Sequence, residues 1–257
     1  MSDQVKYELD DGVCTLTLNR PDALNALNRE VFTGLEAAAD RLAADTGNVR
    51  CVILRGAGKA FCAGLDLKSL GPGAENPDLG QQAQVVEKIA SLPMPVIAQV
   101  HSYCFAGALE LALACDLIFI DEDTQLADTH SKWGLTPCWG MSQRLPRKVG
   151  RARAMDLMFS ARRVAAREAL EIGLVERVFP VSELEKQTRA YALQVASNSS
   201  LSHRVFKSLL SATDGMGLAE GLEYELKHSS GTTADTAARL ADSNTGAISN
   251  CPGATSL

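Results

Sequence analysis

An acidic side chain interrupts a helical stretch that is otherwise apolar around most of its circumference: Glu110, three residues after Gly107 in Ala106–Glu110 (AGALE). A carboxylate is rarely buried unless it is paired or employed, so Glu110 is the first candidate for acid–base chemistry. The small residues before it open the helix and leave its first N–H groups without intrahelical acceptors. Together with the helix dipole such amides suit an oxyanion, and a pre-set donor aimed at developing charge is worth roughly 3–4 kcal/mol. Glu110 falls on the same helix face as Gly107, about one turn along. A second segment, Lys59–Leu67 (KAFCAGLDL), is a small-residue turn after a buried strand. It leaves the backbone of Gly64 and Leu65 close to whatever fills the cleft, where an amide could donate to an oxygen. Taken singly, Gly64 and Gly107 read as turn and packing glycines; Glu110 is harder to account for in that way.

The elements that must position these groups follow from periodicity and turn chemistry. Residues 13–19 alternate as a half-buried strand does, ending at Arg20-Pro21. Asn28 is placed to cap a helix running to about Ala44, with Val31, Leu35, Ala39 and Leu42 on one face. A buried strand at 51–54, a Gly/Pro-rich surface loop at 71–78 and a helix at about 79–91 come next. Pro93 and Pro95 bracket the start of a strand at 96–100, and the apolar run that follows reads as helix to Ala114, then strand at 117–120. Beyond Gly150 helices are expected at 151–159 and 165–172, and a strand near 175–179. Ser182 with Glu185 forms a capping box for a further helix, and helices near 201–211 and 218–227 follow. The tail from Thr232 is small, polar and weakly patterned.

Composition narrows the classes. The 257 residues, 46% hydrophobic and 22% charged, suit one large globular α/β domain, or a domain plus a small appendage. Net charge is −6 with scattered basic residues, so no nucleic-acid partner and no membrane surface is expected. The first residues carry no signal or transit pattern and the longest apolar run is too short for a bilayer, so a cytoplasmic protein is expected. Seven cysteines form no C-x-x-C pair and no metal-ligand spacing, which favours free thiols. G-x-S-x-G, G-x-x-x-x-G-K and G-x-G-x-x-G are absent, which removes the main support for hydrolase and nucleotide-binding readings.

Read together, LNRPDALNALN (18–28), GKAFCAGLDL (58–67), PVIAQVHSYCFAGALELALACDLIFI (95–120), WGLTPCWGMSQRLPRKVG (133–150) and ALEIGLVERVFP (169–180) resemble the crotonase (enoyl-CoA hydratase/isomerase) superfamily in order and spacing. The resemblance implies a crotonase-like α/β spiral of ββα units with a helical C-terminal section. It also implies a homotrimer or dimer of trimers acting on an acyl-CoA thioester, with no metal and no redox cofactor. The boundaries expected are a catalytic core at 1–195 and a helical oligomerisation section at 196–257. Carried over, the backbone N–H groups of Leu65 and Gly107 hold the thioester oxygen, and CoA lies along Ala23, Leu24, Ala63, Asp66 and Leu67. Hydratases of the family use two glutamates. Glu110 matches the first, whereas the second, counted back from Gly134, falls on His130, a residue able to exchange protons near neutrality. A structural, hydrogen-bonding His130 is the alternative. Two further departures stand out. The family's glycine-rich turn is thinned to Ser102, Ala106 and Ala108 beside Phe105, and its C-terminal Phe and basic cluster is not recognisable after Thr232. His101, Cys62, Cys104 and Cys138 approach the same region, with packing the preferred role for each.

The expected reaction is hydration of a 2-enoyl-CoA, with Glu110 activating water and His130 protonating the α-carbon. An isomerase or decarboxylase sharing the enolate is the nearest rival. A non-catalytic acyl-CoA-binding protein is the rival from outside enzymology.

Overall fold

The computed structural model describes residues 3–70 and 78–244. The expected loop at 71–78 falls largely outside them, as do Cys251 and the end of the tail. Two strands open the chain, β1 (Val5–Asp10) and β2 (Val13–Leu18), paired antiparallel about Asp11-Gly12, both at positive φ (49° and 75°). An Asp-Gly pair with that backbone is the two-residue hairpin turn whose twist suits the flanking strands. Helix α1 (Arg29–Ala44) follows, its first turn closed by Asn28, whose side chain accepts from Val31 N at 2.9 Å. Then come β3 (Cys51–Gly56), α2 (Leu79–Ala90), β4 (Val96–Val100), the short β5 (Tyr103–Phe105) and α3 (Gly107–Leu113). The middle of the chain supplies β6 (Leu117–Asp121), β7 (Gln125–Ala127), α4 (Met141–Val149), α5 (Arg151–Ser160), β8 (Val164–Ala165), α6 (Ala166–Glu171) and β9 (Arg177–Phe179). Four helices finish the described chain: α7 (Leu184–Ser197), α8 (Ser200–Ala212), α9 (Leu218–His228) and α10 (Thr236–Asn244).

The main sheet has the order β1-β2-β3-β4-β6-β9, parallel throughout except for the first hairpin. A second sheet, β5-β7-β8, sits beside it. Parallel sheets are covered on both faces, and the two faces are written alternately into the strands. Cys14, Leu16, Leu18, Val52, Leu54, Ala98 and Ile120 point into the large core with α1, α2 and α3. Val13, Cys51, Ile53, Ile97 and Phe119 point the other way, onto Leu184, Ala192 and Ala196 of α7. β2 is therefore almost wholly buried, not half-buried as its Thr residues suggest: Thr17 is buried as well and accepts from Arg55 Nε at 3.1 Å.

Two further local expectations fail. The capping box at 182–185 does not form, because Glu183 occupies the N-cap position without a side-chain bond and Glu185 pairs with Arg55 at 2.6 Å. The last strand begins at Arg177, since the backbone of Leu174 and Val175 still closes the end of α6 onto Ala169 O. Among the described residues no helix is long and apolar enough to cross a membrane, and the cysteines are free, five of them buried. Burial pushes the thiols of Cys14, Cys51 and Cys62 up to about 12.

Candidate active site

The site lies beyond the C-terminal ends of β3 and β4, where the chain leaves the sheet. After β3 the backbone runs through residues 57–66 back against residues 24–27. Ala63 N donates to Leu24 O (3.0 Å), Leu27 N to Gly64 O (2.8 Å), and Asp66 N to Leu27 O (3.0 Å). Buried Asn25 fixes this junction by donating to Ala57 O and Ala60 O, each at 2.8 Å, while accepting from Arg20 N. Arg20 Nη1 also reaches Asp66 Oδ2 at 2.6 Å. Partial burial works against the Asp66 carboxylate, yet the hydrogen bonds from Arg20 and from Lys68 N, together with the charges of both residues, outweigh it and hold the group below the usual carboxylate range.

Gly64 has φ +98°, a conformation that favours glycine, and a Cβ there would stand 2.6 Å from Phe105 O and 3.6 Å from Gly107 N. The two small-residue segments singled out in the sequence thus meet. Ala106 N donates to Ala127 O (2.9 Å), and the chain then turns into α3 with Ala106 at φ 46°, ψ −114°. Neither Leu65 N nor Gly107 N donates within the described residues. Both residues line one cavity, together with Glu110, His130, Trp133 and Trp139.

Glu110 is 1% exposed. Its Oε1 accepts from Trp139 N (2.8 Å) and Met141 N (3.0 Å), so the segment leading into α4 grips one carboxylate oxygen. Oε2 has no hydrogen bond and faces His130 Nε2 at 3.4 Å. On the other side of the imidazole, Asp128 Oδ1 takes His130 Nδ1 at 2.5 Å and His130 N at 3.1 Å. Desolvation opposes a charge on His130, but the hydrogen bond to Asp128 and the close approach of the Asp128 and Glu110 carboxyl groups prevail and raise its pKa to about 9. The surroundings therefore favour the imidazolium form of His130.

The remaining candidates divide. Ala63 and Leu67 line the cavity; Ala23, Leu24 and Asp66 do not, although the 24–27 ladder sets Leu24 directly beside Ala63. Cys138 is on the cavity wall, its thiol pushed up by burial and by Glu110. Cys62 and Cys104 are fully buried next to each other, and Cys62 donates to Asn25 O at 3.0 Å. His101 Nε2 contacts Gly58 O at 3.0 Å, away from the cavity. Sequence reasoning missed Asp128 and the two amides that hold Glu110. The Asp-x-His spacing was visible; the contacts from residues 139 and 141 depend on a loop return with no local signature.

The candidate active site is thus a cavity at the carboxyl ends of parallel strands, with two undonated amides beside a buried carboxylate. The chain belongs to the enoyl-CoA hydratase/isomerase family, whose model matches residues 8–244. It is 36% identical over 243 residues to a Mycobacterium bovis protein named "probable enoyl-CoA hydratase", covering 92% of this chain and 93% of the relative. It is 31% identical over 244 residues to the 1,2-epoxyphenylacetyl-CoA isomerase of Escherichia coli, covering 91% and 93%. The crystal structure of enoyl-CoA hydratase from Bacillus anthracis superimposes with a TM-score of 0.88 at 32% identity, covering 95% of this chain and 97% of that one.

Proposed function

We propose that this enzyme adds water across the 2,3 double bond of an enoyl-CoA thioester. The observation that carries the reading is the approach of Glu110 Oε2 to His130 Nε2, 3.4 Å apart on the cavity wall beside Gly107. In the proposed cycle the amides of Leu65 and Gly107 receive the thioester oxygen as it gains enolate charge. Glu110 Oε2, the free carboxylate oxygen, takes a proton from water as its oxygen bonds the β-carbon. His130 Nε2 gives a proton to the α-carbon, and the enolate collapses to the saturated thioester. Glu110 is then protonated and His130 neutral, and transfer across the short gap between them restores both.

No metal or redox cofactor is assigned to this cycle, and CoA enters only as part of the substrate, along Ala23, Leu24, Ala63, Asp66 and Leu67. Two further expectations belong to the proposal: a core at 1–195 followed by an assembly section, and a trimer or dimer of trimers. Their support is the apolar surface of α8 and α9, where Phe206, Leu210, Leu222 and Leu226 are exposed and no residue is buried.

The test is crotonyl-CoA. Micromolar binding by calorimetry with loss of the enoyl absorbance is expected; no binding of crotonyl-CoA or CoA overturns the reading. A second reading, an isomerase, draws on the two amides that occupy Glu110 Oε1 and leave one oxygen to shuttle a proton between carbons. Double-bond migration without hydration would select it.

A further inference from the structure

We propose that Asp128 is a positioning residue that holds His130 with Nδ1–H inward and Nε2–H directed at the cavity. This makes the acid of the reaction a carboxylate–imidazolium unit built into residues 128–130. The inference rests on the hydratase reading for its catalytic meaning, but not for its geometry.

Asp128 is 2% exposed and follows directly on β7, whose last residue, Ala127, accepts from Ala106 N at 2.9 Å. The unit is thereby anchored to the turn that carries Gly107. One oxygen, Asp128 Oδ1, receives both the backbone N–H of His130 and its Nδ1. An ionised carboxylate only accepts, so Nδ1 must be the donor, and the tautomer is set. In the neutral imidazole Nε2 would then be a bare lone pair 3.4 Å from Glu110 Oε2, acceptor against acceptor. Protonating Nε2 turns that repulsion into attraction. Asp128 thus chooses which nitrogen faces the reaction, and the two carboxylates together keep a proton on it.

The groups facing the imidazole are few. Glu110 comes from α3 and Asp128 from the histidine's own segment. Cys138, before α4, lines the same cavity, its thiol pushed up by desolvation and by Glu110. From α5, the Met158 carbonyl accepts from Ser131 Oγ, next to His130, at 2.9 Å. Lys132, the nearest basic residue in sequence, lies over the exposed Trp133 ring. Among the described residues Asp128 forms an ion pair with no cation other than His130.

A purely structural Asp128 would hold the turn through the His130 backbone N–H, a task an amide oxygen performs equally well. Asp128→Asn therefore separates the roles. The readout is NMR of ligand-free protein labelled in its histidine rings, with the His130 signal assigned by its loss in His130→Gln. In the wild type both ring nitrogens are expected to be protonated at pH 7.5 and to titrate near 9. In Asp128→Asn the midpoint should fall by at least one pH unit, a tenfold or greater loss of proton affinity. Asp128→Glu, which keeps the charge, should titrate above Asp128→Asn. A wild-type His130 that is neutral at pH 7.5, or a midpoint unchanged in a folded Asp128→Asn, overturns the proposal whatever the enzyme does with crotonyl-CoA. The wild-type titration decides even if that variant does not fold. Conversely, the expected titrations with no hydration activity would uphold Asp128 in its positioning role and sink the hydratase reading alone.

Discussion

Gly107 abuts the indole of Trp139 so closely that a Cβ at 107 would stand 3.0 Å from Cε3 and nearer still to Cζ3. The ring is itself wedged edge-on against Phe32, centroids 5.0 Å apart, and the Trp139 amide is one of the two donors to Glu110. A side chain at 107 therefore disturbs the carboxylate through the ring.

Gly107→Ala should lose about 1–3 kcal/mol of stability, the usual result of overpacking a tight site. Turnover should fall with it. Helix starts commonly tolerate proline, but here its ring would need the space Trp139 fills, so Gly107→Pro does not isolate the loss of the amide. Adding Trp139→Leu to Gly107→Ala should restore much of the stability. Urea unfolding of the single and double variants checks this; a Gly107→Ala variant as stable as wild type would refute it.

Glu110→Gln and His130→Ala should each reduce kcat by about 10²–10⁴-fold, the range of a positioned acid or base. Because both act on one transition state, the double variant should be little worse than either single one. Under the isomerase reading only Glu110→Gln is severe. In the wild type kcat should decline as pH rises toward and past about 9, where the His130 proton is lost, and this limb should be absent from His130→Ala. Matching pH profiles for the two proteins would remove His130 from the mechanism.

The same proton links folding to pH. His130 titrates at about 9 in the folded chain, raised from its ordinary 6.5, so the native state binds the proton more tightly than the unfolded one. Its contribution is full below about 6.5 and is lost as pH climbs through 9. Denaturant midpoints at pH 7 and 9.5 should fall further in the wild type than in His130→Gln; equal decreases would contradict the linkage.

Ser102 and Ala106 hold positive φ angles of 60° and 46° without being glycine. For Ala106 the ψ of −114° lies outside the left-handed helical basin, where strain is of order 1–3 kcal/mol. Ala106→Gly should recover about 1 kcal/mol after the greater flexibility of glycine in the unfolded chain is deducted. A thermal melt no higher than wild type would show that the strain is absent.

Legibility in the sequence followed the range of the interaction. The Asn28 cap, the buried runs at 51–54 and 96–100, and the small-residue start of α3 are local signals, and each element formed where it was expected. Asp11-Gly12 carried a hairpin signal that went unused, so β1 was missed. β5, β7 and β8 are two or three residues long and exist only through one another, beyond the reach of periodicity. Glu110 stood out because a charge inside an apolar helix demands a partner. What that partner would be, amides at 139 and 141 and a histidine at 130, is a product of tertiary folding.

The seams of the parallel sheet join residues far apart along the chain: Val13 with Cys51, Val52 with Val96, and Phe119 with Arg177. Each seam requires a long loop to close before any pairing energy is returned, which makes this a high-contact-order, slow-folding topology. Gly64 and Gly107 sit past the ends of β3 and β4 and meet only after that seam has closed. A partly folded population can therefore hold nearly all its helices and still lack the cavity. During refolding, recovery of catalysis should lag the helical circular-dichroism signal, so activity, not helicity, measures the native fraction.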